Sequence, residues 1–114
     1  MVAPFESKAH GGKLDGLLKA ISDPHRRRIL DLLATDELPV GRIAERFRIS
    51  RPAVIKHLRV LRAARLVVAH RRGRERIQCL NPAPLKSVEA WLSHLEAFWD
   101  ASLQKLKAQI ENDQ

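Results

Sequence analysis

The residues of this sequence whose types and spacing could do chemistry are a run of cations in the middle of the chain. Twelve Lys and Arg lie between Arg42 and Arg76, against only Glu45 and Glu75, so this segment carries a net charge of +10. The other 79 residues hold nine basic and eleven acidic side chains. Cations gathered in one segment are typical of a protein that binds a polyanion. Nucleic acid is therefore the first partner class to consider.

Patterns for catalysis are weak by comparison. The sequence shows no Ser/His/Asp or Cys/His arrangement, no paired carboxylates and no phosphate-cradling glycine loop, so it predicts neither an enzyme nor a cofactor. The single cysteine, Cys79, cannot form an internal disulfide, which fits a reducing cytoplasm. Cys79 could be a redox switch, but the pattern favours a small buried strand residue that faces inward beside Ile77.

The N-terminal stretch "MVAPFESKAHGG" lacks the apolar core of a signal peptide. No apolar run approaches the roughly 20 residues that cross a bilayer. We therefore expect a cytoplasmic protein with no membrane partner. Residues 1–12 contain Pro4 and a Gly-Gly pair and are expected to form a flexible tail, followed by one domain over residues 13–111.

The elements that position the cations begin with three helices. Apolar residues at helical spacing predict a first, short helix over Lys13–Ile21. A second helix is predicted to begin at Pro24, with Asp23 as its N-cap. A third, brief helix is expected from about Pro39 to Phe47.

Ser50 is placed as the N-cap of a fourth helix, which tolerates Pro52 in its first turn. The runs "RLVVAH" and "RERIQCL" then predict a β-hairpin, with the glycine of "RRGR" in its turn. A last, long helix is expected over Leu85–Ile110. This order predicts a mainly α fold with a small β-hairpin wing, the winged helix-turn-helix.

In the fourth helix, the apolar residues Val54, Leu58 and Leu61 share one face, whereas Lys56 and Arg59 point away from it. The apolar face is expected to dock the helix and leave a basic face that can enter a DNA major groove.

The N-terminal half of this helix is best placed to read bases. Arg51 and Lys56 could donate to guanine N7 and O6, and Ile55 could contact a thymine methyl group. Arg59 and Arg62 are expected at phosphates, and the wing arginines at the DNA backbone or in an adjacent minor groove. His57 borders the core face, where packing or hydrogen bonding is favoured over base reading. The expected DNA-binding residues are Arg48, Ser50, Arg51, Pro52, Ile55, Lys56, His57, Arg59, Arg62, Arg71, Arg72 and Arg74.

The apolar stripe of the last helix is longer than a three-helix core and a short first helix can cover. An uncovered patch of this kind usually marks an interface. Two-fold pairing would also supply two recognition helices about one DNA turn, roughly 34 Å, apart. The residues expected in a homodimer interface are Leu14, Leu17, Leu18, Ile21, Val88, Trp91, Leu92, Leu95, Phe98, Trp99, Leu103 and Leu106.

Three stretches, "ISDPHRRRILDLL", "LPVGRIAERFRISRPAVIKHLRVLRAARLV" and "RRGRERIQCLNPAPL", resemble the ArsR/SmtB family of winged-helix repressors. The resemblance covers roughly residues 14–99. It implies a homodimer, formed by the first and last helices, that binds an inverted-repeat operator and blocks transcription. Many members release DNA when they bind a metal ion.

The chain departs from the metal-sensing members of that family. Those members carry a Cys-x-Cys pair near the third helix, where this chain has "DELPVGRIAE", or a set of Asp, His and Glu ligands on the last helix, where His94 is the one histidine. The sequence therefore resembles the branch without such sites. We expect no metal site, and no effector is identified.

Two classes of function remain open from the residues. The first is a sequence-specific DNA-binding regulator, most simply a repressor, although an activator or a nucleoid-type binder would share its features. The second is a winged-helix module that binds RNA or protein without operator specificity. A repressor should bind its site about 10³-fold or more above unrelated duplexes.

Overall fold

The computed structural model describes residues 8–113, and the side chains from Lys13 onward. In chain order the elements are α1 (Lys8–Ile21), α2 (Pro24–Thr35), β1 (Leu38–Pro39), α3 (Val40–Phe47), α4 (Arg51–Ala63), β2 (Val67–Arg72), β3 (Glu75–Leu80) and α5 (Leu85–Asn112). This architecture confirms the predicted winged helix-turn-helix, in which α3 and α4 form the helix-turn-helix and β2 and β3 form the wing.

The first helix starts at Lys8, five residues before the expected Lys13. Gly11 and Gly12 each lower helix propensity by about 1 kcal/mol relative to alanine, which is why the sequence favoured a tail there. Downstream packing of an amphipathic face can outweigh such a local preference. Residues 1–7, the rest of the predicted tail, lie outside the described residues.

The junction between α1 and α2 is held by hydrogen bonds in both directions. The Asp23 carboxylate accepts the backbone N–H groups of His25 at 2.7 Å and Arg26 at 3.1 Å, as predicted for an N-cap. The Arg26 guanidinium donates to the carbonyl oxygens of Ala20 at 2.6 Å and Lys19 at 3.0 Å. Carbonyls in the last turn of a helix lack partners inside it, so Arg26 satisfies the end of α1 while Asp23 satisfies the start of α2.

Replacing Asp23 by alanine is expected to lower the free energy of unfolding by about 0.5–2 kcal/mol at neutral pH. Burial raises the pKa of the Asp23 carboxyl, but hydrogen bonds from Arg26 and His25 outweigh burial and hold the pKa below its ordinary 3.8. A depressed folded-state pKa gives stability that is present above the unfolded pKa and lost as pH falls through the folded pKa. Denaturant unfolding should therefore show that the difference in free energy of unfolding between wild type and Asp23→Ala becomes smaller as pH falls below 3.8.

Asp31→Ala is the control for this prediction, because Asp31 is an exposed residue of the same helix. It should show no comparable loss at pH 7. If Asp23→Ala lowered the free energy of unfolding equally at pH 7 and below pH 3.8, the assignment of Asp23 as an ionised N-cap would be contradicted.

The recognition helix α4 is anchored by a fully buried stripe. Val54, Leu58 and Leu61 are each 0% exposed and pack in one cluster with apolar residues of α1, α2, α3 and β2. Ser50 accepts the Ala53 N–H at 3.2 Å, as predicted for the N-cap of α4. Arg48 turns the chain between α3 and α4 in the left-handed conformation, at φ 54° and ψ 30°. The helix therefore has a fixed inner face and a fixed start.

The sheet has three strands in the order β1-β3-β2, with both pairs antiparallel. The sequence does not predict β1, because two residues show no alternation and the helical pattern of α3 includes Pro39. Proline is tolerated in β1 because this strand lies at the sheet edge. Gly73 makes the wing turn with φ 64°, a conformation that glycine adopts without a steric penalty.

The last helix, α5, has 28 residues and is about 42 Å long. Leu85 and Val88, at its start, pack against the core, but no residue of α5 is buried. Within residues 8–113, no helix combines the length and the apolar character that a bilayer span requires.

Candidate nucleic-acid interface

The outer face of α4 is exposed and basic. Arg51, Lys56 and Arg59 are exposed, and Ile55 between them is 37% exposed. Lys56 and Arg59 lie on the side of the helix that points away from the buried stripe of α4, and Arg51 and Ile55 lie on its flank. The predicted split of the helix into a docking face and a free basic face is therefore present in the structure.

Further exposed residues lie beside this face of α4, at the entry to the helix and in the wing. Arg48 and Ser50 are exposed where the chain enters α4, and Pro52 is exposed in the first turn. In the wing, Arg71, Arg72 and Arg74 are exposed around the Gly73 turn. We refer to the exposed face of α4 together with the wing as the basic surface.

The basic surface holds almost no counter-charge of its own. Among the twelve cations between Arg42 and Arg76, all of which the structure describes, Arg72 is the one with a carboxylate within 4.0 Å, at 3.4 Å from Glu37. Burial lowers the pKa of Arg62, and the neighbouring guanidinium groups of Arg76 and Arg59 lower it further. Crowded cations without acidic partners fit a surface whose anions come from a ligand, and DNA phosphates are such anions.

Arg62 has a structural contact that the sequence did not reveal. Its guanidinium donates to Gln78 Oε1 at 3.1 Å, and Gln78 is 0% exposed in β3. This hydrogen bond ties the last turn of α4 to the sheet. Arg62 is half-buried, so it is less available to phosphates than the exposed Arg59.

His57 lies where α4 meets α2. Its Nδ1 is 3.4 Å from the Arg26 guanidinium, and its ring centroid is 5.6 Å from that of His25. Burial lowers the pKa of His57, Asp23 opposes this shift, and Arg26 adds to it. The imidazole is therefore largely neutral at pH 7 and adds little charge to the basic surface. This geometry favours the packing role over base reading.

The residues expected at a homodimer interface divide into three groups by exposure. Leu14 and Leu17 are buried within the single chain, so their side chains have little area left for a partner. An amphipathic pattern marks an apolar face without showing whether the chain itself covers it. The half-buried members are Leu18, Ile21, Val88, Trp91 and Leu95. The members with 46–57% exposure are Leu92, Phe98, Trp99, Leu103 and Leu106.

Cys79 is buried beside Ile77, but both lie on the sheet face that points away from the main core. Neighbouring residues of a strand face opposite sides of a sheet. Leu80 packs in the core cluster together with its cross-strand partner Val67, so the alternate residues Cys79 and Ile77 face the other way. The prediction of a buried strand residue beside Ile77 is confirmed, on the face of the sheet opposite Leu80.

The environment of Cys79 does not activate its thiol. Burial raises the pKa of Cys79, and the negative charge and hydrogen bond of Glu37 raise it further, against a smaller opposing effect of Arg72. A thiol with a raised pKa holds its proton at neutral pH and reacts slowly with oxidants. This favours the buried residue over the redox switch.

The sequence and the fold both match known proteins. Residues 23–68 match the family model described as "Bacterial regulatory protein, arsR family". The chain is 40% identical over 79 residues to the transcriptional repressor SdpR of Bacillus subtilis, a match that covers 69% of this chain and 88% of that protein. It is 35% identical over 99 residues to the HTH-type transcriptional regulator Rv2034 of Mycobacterium tuberculosis, covering 87% of this chain and 90% of that protein.

Solved structures agree with these matches. An ArsR-like transcriptional regulator from Rhodococcus sp. RHA1 superposes with a TM-score of 0.84 at 30% identity, covering 96% of this chain and 99% of that chain. NolR from Sinorhizobium fredii superposes with a TM-score of 0.63 at 30% identity, covering 82% of this chain and 96% of that chain.

Proposed function

The chain belongs to the arsR family of bacterial transcriptional regulators, and from that premise we propose that it acts as a homodimer on an inverted-repeat operator. It is a DNA-binding repressor rather than an enzyme: SdpR is a transcriptional repressor, and Rv2034 is a transcriptional regulator. A regulator of this kind works where the chromosome is, which in bacteria is the cytoplasm.

The observation that carries the proposed binding mode is the division of α4 into two faces. The fully buried stripe of Val54, Leu58 and Leu61 fixes the helix, so the exposed Lys56 is held at its outer side and the exposed Arg51 on its flank. We assign these two residues to base edges in the major groove. Ile55 accompanies them with an apolar surface that suits a thymine methyl group.

The remaining cations position the protein without reading sequence. Arg59 and the exposed wing arginines Arg71, Arg72 and Arg74 are assigned to phosphates, to which half or more of protein–DNA hydrogen bonds are made. Arg48, Ser50 and Pro52 lie at the entry to α4 and complete the contact region. Arg62 and His57 are given supporting roles, because Gln78 and Arg26 already contact them.

The proposed homodimer is supported by the exposure of α5. No residue of this 28-residue helix is buried in the single chain, and its second half carries large apolar side chains that are about half exposed. Isolated exposed apolar residues are normal, but a continuous apolar stripe is typical of an interface. Pairing through α5, with Leu18 and Ile21 of α1 beside it, would present two copies of α4 to successive major grooves.

Selection from a random-sequence duplex library, followed by footprinting of the enriched sites, tests this function. We expect an enriched inverted repeat with half-sites about one helical turn apart, bound about 10³-fold or more above unrelated duplexes at the same salt concentration. Single-stranded RNA of matched length is the control. Equal binding to all duplexes and to RNA would instead support a module without operator specificity.

A further inference from the structure

Glu37, His70 and Cys79 meet at the base of the wing. One carboxylate oxygen, one imidazole nitrogen and the sulphur atom of these residues all lie within 4.8 Å of one another. Cys79 Sγ is 3.2 Å from His70 Nδ1, whereas Glu37 Oε2 is 4.0 Å from the other ring nitrogen, Nε2. One imidazole gives one nitrogen to an ion, so only one of these two distances joins a pair of ligands. Three different kinds of metal ligand are therefore gathered at one point.

The register of the sheet produces this arrangement. Val68 is the direct cross-strand partner of Cys79, and His70 follows two residues later on the same face of β2, as a diagonal neighbour. Glu37 immediately precedes β1, which pairs with the other edge of β3. The three donors thus come from three adjoining segments of one sheet, and a strand framework holds ligands more firmly than a free loop does.

We propose that Glu37, His70 and Cys79 bind a divalent transition-metal ion, for which Zn²⁺ is the best match. Zn²⁺ accepts thiolate, imidazole and carboxylate ligands at about 2.0–2.3 Å in a tetrahedral arrangement, so its donor atoms lie about 3.4–3.6 Å apart. The Cys79–His70 distance is already close to this spacing. Three protein ligands leave a fourth position for water or another donor.

The exposure of the ligands fits an ion that enters from solvent. Cys79 is 8% exposed, whereas the side chains of His70 and Glu37 are 46% and 52% exposed. Because His70 and Glu37 are exposed, their side chains can move by the roughly 1 Å that coordination requires, while the buried Cys79 Sγ stays in place. A hard ion such as Mg²⁺ or Ca²⁺ is a poor match, because it prefers an all-oxygen ligand set.

The site also contacts the basic surface. Arg72 donates to Glu37 Oε2 at 3.4 Å, and its side chain is 68% exposed. A carboxylate has two oxygens, so Glu37 could bind the ion and still accept from Arg72. The proposed ion would thereby share a carboxylate with one wing arginine.

Titration of the full chain with Co²⁺ and then Zn²⁺ tests the proposal, because Co²⁺ reports its ligands by absorption. We expect one Co²⁺ per chain, a thiolate-to-metal charge-transfer band, visible bands of four-coordinate intensity, and loss of both when Zn²⁺ displaces Co²⁺. Cys79→Ser should abolish the charge-transfer band. Glu37→Gln should weaken Zn²⁺ binding by at least about tenfold, a loss already typical for supporting residues of a metal site.

Glu75→Gln is the matched control, because Glu75 is a wing carboxylate outside the cluster. It should keep wild-type affinity. Circular dichroism checks the folding of each variant, and Glu37→Gln, at an exposed side chain, keeps the test decisive if Cys79→Ser is unstable. The proposal would be overturned if wild-type protein gave no thiolate-to-Co²⁺ band. It would also be overturned if Cys79→Ser and Glu37→Gln bound the metal as tightly as wild type does. No step of this test uses DNA, so its outcome is independent of the operator.

Discussion

Replacing Trp99 and Leu103 together by lysine is expected to split the dimer and lower operator affinity by a factor of about 10² to 10⁴. Both side chains lie on the α5 stripe and are 57% and 56% exposed in the single chain. The substitutions therefore remove little packing within the protomer, but they place two charges in the proposed interface, where desolvation without a partner is costly. A dimer contacts two half-sites through two linked subunits, whereas a monomer contacts only one. The expected loss is the affinity that this linkage provides.

Light scattering during size-exclusion chromatography measures the mass of this variant, and a gel-shift titration measures its affinity. The control is Ala97→Lys with Gln104→Lys, which adds the same charge at exposed positions on the other side of α5. Matched charge matters because added lysines raise non-specific attraction to DNA. A variant of Trp99 and Leu103 that stays dimeric and binds fully would refute the assigned interface.

Replacing Arg51 and Lys56 together by alanine is expected to weaken operator binding by about 1–3 kcal/mol for each residue. The loss should be confined to the preferred sequence, because these residues are assigned to base edges. Selection with the variant should therefore show relaxed preference at the base pairs that they read. The affinity for non-specific duplexes should fall less, because it loses only the electrostatic contribution of two positive charges.

Arg74→Ala provides the contrast, because Arg74 is exposed and, unlike Arg72, has no carboxylate of the described residues within 4.0 Å. This variant should bind all duplexes more weakly by a similar factor, and the slope of log affinity against log salt concentration should be smaller by about 1. Lys105→Ala, on α5, removes the same charge away from the basic surface and should change little. If all three variants affected every duplex equally, the division between base readers and phosphate contacts would fail.

The sequence predicts those elements whose signals are local. Asp23 and Ser50 mark the starts of α2 and α4, because an N-cap acts on backbone groups two or three residues away. The buried stripe of α4 follows from helical periodicity alone. The extension of α1 across Gly11 and Gly12 could not be predicted in this way, because two adjacent glycines disfavour a helix.

The missed features depend on contacts between distant parts of the chain. Glu37, His70 and Cys79 are separated by 33 and 9 residues, and only the register of β1, β2 and β3 brings them together. The same is true of Arg62 and Gln78, whose hydrogen bond joins α4 to the sheet. For Leu14 and Leu17, periodicity identified an apolar face correctly but could not tell that the chain's own core covers it.

In the proposed homodimer, the α5 stripe that is exposed in the single chain would be buried by the second copy, so the integrity of this helix would depend on the amount of protein present. A stripe that gains its burial only from a second copy is stabilised by mass action, so thermal stability rises with protein concentration. At high dilution the distal turns of α5 would fray, and single subunits with one recognition helix would accumulate. The cellular level of the repressor then sets both how much of it is fully folded and how much of it can hold an operator.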